Sequence, residues 1–212
     1  MKKRVRAGIN TMALMLLVAL LLSPVACKKE EPQSERIPAQ AYNPYTTDSV
    51  LGEVKQKLEK NPDDVDALFH LADLYERNGQ YPEAIETYKH LIKVKPGAGY
   101  AYFKMGTAYD RINKPAEAIE AFKKSVQYMP KHAMTYNNMG VAYGKLNKYQ
   151  DEIAALKKAI QLRPSYSTAR FNLGVTYLKI GNKKAAQQEY ESLMKFDEGA
   201  AEALMKEIKK GS

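Results

Sequence analysis

Tryptophan is absent, cysteine occurs once and histidine three times in 212 residues. One cysteine excludes any intramolecular disulfide, so the fold must be held by its apolar core. His70, His90 and His132 show no metal-ligand spacing and have no cysteine partners, which removes the usual zinc patterns. A glycine-rich phosphate loop is missing, and no serine, histidine and aspartate stand in a catalytic arrangement. Acidic residues are outnumbered, 24 against 33 basic. Four of the basic residues are Lys2, Lys3, Arg4 and Arg6, and beyond them the excess falls to five. An excess that small gives no footing for a nucleic-acid partner. No cofactor, metal site or catalytic group is expected. What the chain does have is apolar content, 45% of its residues, and fifteen tyrosines.

The apolar content is concentrated first near the N-terminus. A basic stretch, Met1 to Arg6, precedes an apolar run from Ala7 to Leu22 broken only by Asn10 and Thr11. Ser23, Pro24, Val25, Ala26 and Cys27 follow, then Lys28 and Lys29. This is the layout of a secretory signal. The small Ala26 before Cys27 resembles the lipobox of bacterial lipoproteins, with Pro24 where that family usually has leucine. The resemblance implies lipidation of Cys27 and cleavage before it, with residues 1–27 as signal. A second reading stays open, because Ala7 to Ala26 is also just long enough to remain as an uncleaved anchor helix. Both readings leave the basic cluster in the cytoplasm and put the rest of the chain on the periplasmic side of a membrane. Residues 28–47, with Pro32, Pro38 and Pro44 and no helical apolar stripe, read as a flexible tether with a reach of roughly 25 Å.

Beyond the tether the chain repeats. Pro62, Pro96, Pro130 and Pro164 are each 34 residues apart. In the same register, Leu71, Met105, Met139 and Leu173 form a column. Ala72, Gly106, Gly140 and Gly174 form the next, and Tyr75, Tyr109, Tyr143 and Tyr177 a third. A fourth column holds Tyr88, Phe122, Leu156 and Tyr190. A period of this length is the mark of a solenoid. Each column has a physical reason: the small residues let two helices cross closely, and the tyrosines fill the space beside them. Gly79, Asn113, Asn147 and Gly181 end the first helix of each unit, where a left-handed residue is needed. Pro82 and Pro115 fall near the start of the second helix, where a missing N–H costs least.

This pattern resembles the tetratricopeptide repeat. The resemblance covers residues 65 to about 198 and implies an all-α, right-handed superhelical solenoid. The units are expected at 65–98, 99–132, 133–166 and 167–199, with first helices at about 65–78, 99–112, 133–146 and 167–180. Second helices are expected at about 81–94, 115–128, 149–162 and 183–196. Residues 48–64 carry Val50, Leu51, Val54 and Leu58 at helical spacing, with Asp48 as N-cap, and read as a partial repeat. Residues 200–212 place Ala203, Leu204 and Ile208 on one side and read as a capping helix, which a solenoid needs to close its core. One position departs from the pattern. Ala84, Ala118 and Ala186 are small where the third unit has Glu152. A buried unpaired carboxylate is costly, so either the helix shifts locally or Glu152 reaches water or a basic neighbour.

In this family the first helices line a concave groove that binds protein or extended peptide. The resemblance maps groove positions onto Phe69, Tyr100, Phe103 and Phe171, an aromatic track, and onto Asn137, Asn138 and Asn172. Asn138 and Asn172 resemble asparagines that hold a peptide backbone, since an amide both donates and accepts. Arg77, Arg111, Lys145 and Lys179 map to a basic column along one edge. Lipoproteins with similar repeats assemble pili or outer-membrane complexes, or serve as adaptors for cell-wall hydrolases. The expected function is therefore a membrane-tethered periplasmic scaffold for assembling an envelope complex. The alternatives are an inner-membrane subunit on an uncleaved anchor and a regulator of a cell-wall enzyme.

Overall fold

The structure is a computed structural model and describes residues 47–210. Cys27, the apolar run and nearly all of the tether lie outside the described residues. Ten helices and no strands are present among the described residues. The first is α1, Thr47–Lys60. Four helix pairs follow: α2 (Val65–Arg77) with α3 (Tyr81–Val94), α4 (Gly99–Arg111) with α5 (Pro115–Tyr128), α6 (Ala133–Lys145) with α7 (Tyr149–Leu162), and α8 (Ser167–Lys179) with α9 (Lys183–Leu193). The last is α10, Glu198–Lys210. Helix α1 begins at Thr47, so Asp48 lies in its first turn and not at its cap. Among the described residues, no helix is long and apolar enough to cross a membrane.

The turn inside each pair repeats in its hydrogen bonds. Gly79 and Gly181 have φ of 74° and 77°, and Asn113 and Asn147 both have 57°. These are left-handed residues just past a helix end, where only glycine and asparagine sit at low cost. The next N–H in each turn, of Gln80, Lys114, Lys148 and Asn182, donates to the carbonyl of the column tyrosine five residues back, at 2.8–3.0 Å. The tyrosine column thus supplies the backbone acceptor that locks the turn, besides its ring. Second helices then begin with Pro82 and Pro115 in the first turn in two of the four units.

Every helix packs on its neighbours in sequence. The substantial contacts that skip a helix join α4 to α6, α6 to α8 and α8 to α10. First helices therefore approach one another, and they line one face of the stack. The small column sits at the crossings. A Cβ added to Gly106 would stand 2.6 Å from Phe122, and one added to Gly140 would stand 2.9 Å from Leu156. Phe122, Leu156 and Tyr88 are all fully buried.

The fourth unit departs from the expected register. At Gly174 the contacting side chain is Leu204, 2.5 Å from an added Cβ, and not Tyr190, which is only partly buried. Helix α9 ends at Leu193, three residues before the expected 196. No proline closes this unit. The chain instead tightens around the fully buried Leu193, whose carbonyl accepts from the N–H groups of Phe196 and Asp197. Asp197 then caps α10, its carboxylate accepting from the Ala200 N–H at 2.9 Å. This lets α10 start two residues early and drop Leu204 into the place an in-register aromatic would fill. At the other end, Val50, Leu51, Val54 and Leu58 of α1 cover Ala67, Leu71 and Leu74.

Candidate functional site

The face lined by α2, α4, α6 and α8 divides into three stretches. At the N-terminal end, Phe69, Tyr100 and Phe103 form a chain of rings with centroids 5.8 and 5.6 Å apart. Tyr100 is 48% exposed, while Phe103 is 6% exposed. Phe103 therefore supports the track from beneath, and Tyr100 is its contact surface. Two rings that the repeat pattern does not assign to the groove extend it. Tyr88 packs against Phe69 at 6.1 Å, and the His132 imidazole stands edge-on to Phe103 at 4.9 Å. Burial holds His132 below its usual pKa. Its Nδ1 lies 2.7 Å from the Thr135 hydroxyl. Burial, with the Glu76 and Asp73 carboxylates nearby, pushes the Tyr88 phenol well above its ordinary range. Tyr88 is legible in the sequence as a core column, but its place beneath the track is not.

In the middle stretch the three asparagines bond to one another. Asn172 Nδ2 donates to Asn137 Oδ1 at 3.1 Å, and Asn137 Nδ2 donates to Asn138 Oδ1 at 3.1 Å. Asn137 is 5% exposed and acts as the buried link. The half-buried Asn138 and Asn172 carry the outer ends of the chain, one amide donor and one acceptor.

Phe171 is not part of the ring chain. The third unit has Asn137 at the corresponding position, so the track is interrupted there. Phe171 packs instead beside Leu193, Ala201 and Leu204, and it walls a cavity of about 230 Å³ shared by α6, α7 and α8. Glu152 lines this cavity, where its Oε1 is not sealed, so of the three expected routes only the one to water stays open. Helix α7 is regular through this position, and among the described residues no basic side chain pairs with the carboxylate. Gly144 makes the room. A Cβ there would stand 2.7 Å from Cδ, Oε1 and Oε2 of Glu152. Glycine inside a helix costs about 0.5–1 kcal/mol relative to alanine. A buried polar group left without a partner costs about 1–3 kcal/mol. Glu152 is 4% exposed and its Oε2 is sealed with no hydrogen-bond partner. The sequence carries a signal for this pairing: glycine stands at this first-helix position only in the unit that has the glutamate.

The basic column is largely committed. Arg77 Nε pairs with Asp73 at 2.7 Å, and Lys145 Nζ pairs with Asp110 of the preceding unit at 2.6 Å. Lys179 Nζ sits over the Tyr149 ring, 6.0 Å from its centroid. Lys104 bridges Glu76 and Asp73. Burial pulls the Lys104 pKa down, but the two carboxylates outweigh it, and the net shift is upward. Of this column only Lys145 pairs across successive first helices; Arg77 pairs within its own helix, and Arg111 has no ion pair among the described residues.

Family models for the tetratricopeptide repeat match residues 58–86, 99–132 and 167–199, and a model for the TPR repeat matches residues 143–181. The chain is a tetratricopeptide repeat protein. Solved TPR structures share its fold. MamA superposes with a TM-score of 0.70 at 24% identity, over 74% of this chain and 92% of that one. YrrB, described as a TPR protein with an unusual peptide-binding site, has a TM-score of 0.67 at 17% identity, over 76% and 84% of the two chains. PilW, described as a widely conserved type IV pilus biogenesis factor, has a TM-score of 0.66 at 20% identity, over 78% of each. At these identities the likeness of the TPR protein to them is one of fold. Comparison with curated protein sequences gives no match.

Proposed function

We propose that this TPR protein binds an extended polypeptide along its first-helix face, tethered to a membrane by its N-terminal segment, as a scaffold for assembling an envelope complex. The observation that carries the binding reading is a first-helix face that bears both an exposed aromatic, Tyr100, and a chain of amides that ends in a free donor and a free acceptor. An extended peptide needs both: apolar area for its side chains and paired groups for its backbone. The rigid helices hold these groups in place before the partner arrives, so little ordering cost remains. A scaffolding role also fits the architecture, since stacked pairs exist mainly to present surface.

The test begins with capture of the partner from envelope fractions by the full-length protein in detergent. Its affinity for the parent is then compared with Tyr100→Ala and Phe171→Ala, after circular dichroism has shown both variants folded. Loss of an anchoring aromatic costs about 2 kcal/mol, or about 30-fold in affinity. If both variants bind as tightly as the parent, the groove is not the site, and the lysines of the second helices, Lys123, Lys124, Lys157 and Lys158, become the surface to examine.

The tether rests on the basic, apolar, Ala26-Cys27 series. Intact-mass measurement of the protein from its native membrane is expected to give a chain that starts at a lipidated Cys27. A mature chain that keeps Met1 means an uncleaved anchor and ends the lipoprotein reading, while leaving the binding reading untouched.

A further inference from the structure

The third unit differs from its neighbours at two positions that face each other, and together they build a pocket. Ala84, Ala118 and Ala186 are fully buried at the place where this unit has Glu152. Glu76, Asp110 and Leu178 stand where it has Gly144. The Glu152 carboxylate fills the space over Gly144, and both residues line the cavity between α6, α7 and α8. Glu152 lies in the first turn of α7, where free helix N–H groups favour a negative charge. Its Oε2 is sealed without a hydrogen-bond partner, and no hydrogen bond or ion pair among the described residues includes Oε1, the oxygen left open to the cavity.

The cavity is also lined by the apolar Val141, Val175 and Phe171 and by Asn172. A carboxylate among apolar side chains matches a side chain with an apolar stem and a cationic head. Lysine and arginine are built that way, and a guanidinium also stacks on an aromatic face. Two lysines of this chain line the cavity as well. Both are engaged elsewhere: Lys145 Nζ is held by Asp110 Oδ1 at 2.6 Å and by the Asp110 carbonyl at 3.3 Å, and Lys179 Nζ lies over Tyr149. Neither supplies the missing partner.

We propose that this cavity is a subsite for a basic side chain, arginine or lysine, of the polypeptide bound in the groove. The proposal rests on the groove-binding reading and adds a specificity to it. The aromatic track would place the chain, and Glu152 would select where along it a basic residue must fall.

The experiment uses the full-length protein in non-ionic detergent and three capped heptapeptides, identical except for a central arginine, citrulline or glutamate. Citrulline keeps the shape of arginine and removes its charge. Calorimetric titration is expected to show the arginine peptide binding about tenfold more tightly than the citrulline peptide, with the glutamate peptide weakest. Glu152→Gln should abolish that preference while leaving the circular dichroism unchanged. Glu152→Ala, which restores the residue of the other three units, should do the same and guards against a misfolded variant. Equal binding of all three peptides, no binding of the arginine peptide, or a preference that survives both substitutions overturns the proposal. If all three peptides bind equally and Phe171→Ala weakens each of them, the subsite falls while the groove stands.

Discussion

Gly106→Leu is expected to destabilise the protein by about 3 kcal/mol, seen as a fall of about 10 °C in the thermal midpoint. A Cβ at this position would already stand 2.6 and 2.7 Å from two carbons of the Phe122 ring. That ring cannot retreat at low cost. It is fully buried, clustered with Phe103, Ala118, Ile119 and Ala142. Interiors at this density answer an added methyl by moving backbone or forcing side chains off their rotamers. A leucine adds three further carbons and pushes α4 away from α5. Leucine also has the better helix propensity, which would raise stability by about 1 kcal/mol if packing were indifferent. Gly52→Ala separates the two effects. Gly52 lies in α1 with nothing within 4 Å of an added Cβ, so alanine there should stabilise by about 0.5–1 kcal/mol. A Gly106→Leu protein that melts within a degree or two of the parent would mean that the α4–α5 crossing is not as described. The same variant also bears on binding, because Tyr100 and Phe103 ride on α4 and would be displaced with it.

The parts of this molecule that follow from local rules are legible in its residues. Glycine and asparagine at the left-handed positions, and the prolines 34 residues apart, mark where helices must stop. Three of the second helices accordingly occupy 81–94, 115–128 and 149–162, as expected. The departures all involve partners chosen in three dimensions. Tyr190 stands in register with Tyr88, Phe122 and Leu156, yet Leu204 of α10 covers Gly174. Phe171 stands in register with Phe103, yet it faces a cavity, because the ring that would link the two is replaced by Asn137. The asparagines are visible as groove positions, but the hydrogen bonds among them depend on the approach of α8 to α6, which no periodicity encodes. Glu152 is visible as an exception. Its resolution lies eight residues upstream, in a glycine that reads as ordinary until the two helices are packed together. Cys27 and the apolar run are equally legible as a pattern, and they lie outside the described residues.

Leu204→Ala is expected to cost about 2–5 kcal/mol and to loosen one end of the molecule selectively. Leu204 is fully buried and contacts the Gly174 backbone at the α8–α10 crossing. No other side chain can take its place, since Tyr190 is already engaged at the edge of the same cluster. Truncation therefore leaves a void at the point where the terminal helix closes the solenoid. In a stack whose units touch only their neighbours, stability is transmitted unit by unit. The damage should be greatest in α8, α9 and α10 and should fade toward α2 and α3. Hydrogen exchange measures this directly: amides of α8 to α10 should lose protection well before those of α2 to α5. Phe171 and Val175 pack against the Leu204 cluster and also wall the Glu152 cavity. Recognition of a basic side chain should thus weaken in this variant, while contacts made through Tyr100 on α4 persist. Uniform loss of protection along the whole chain would show that the stack unfolds as one cooperative block. Unchanged protection in α8 to α10 would show that α10 does not close the core.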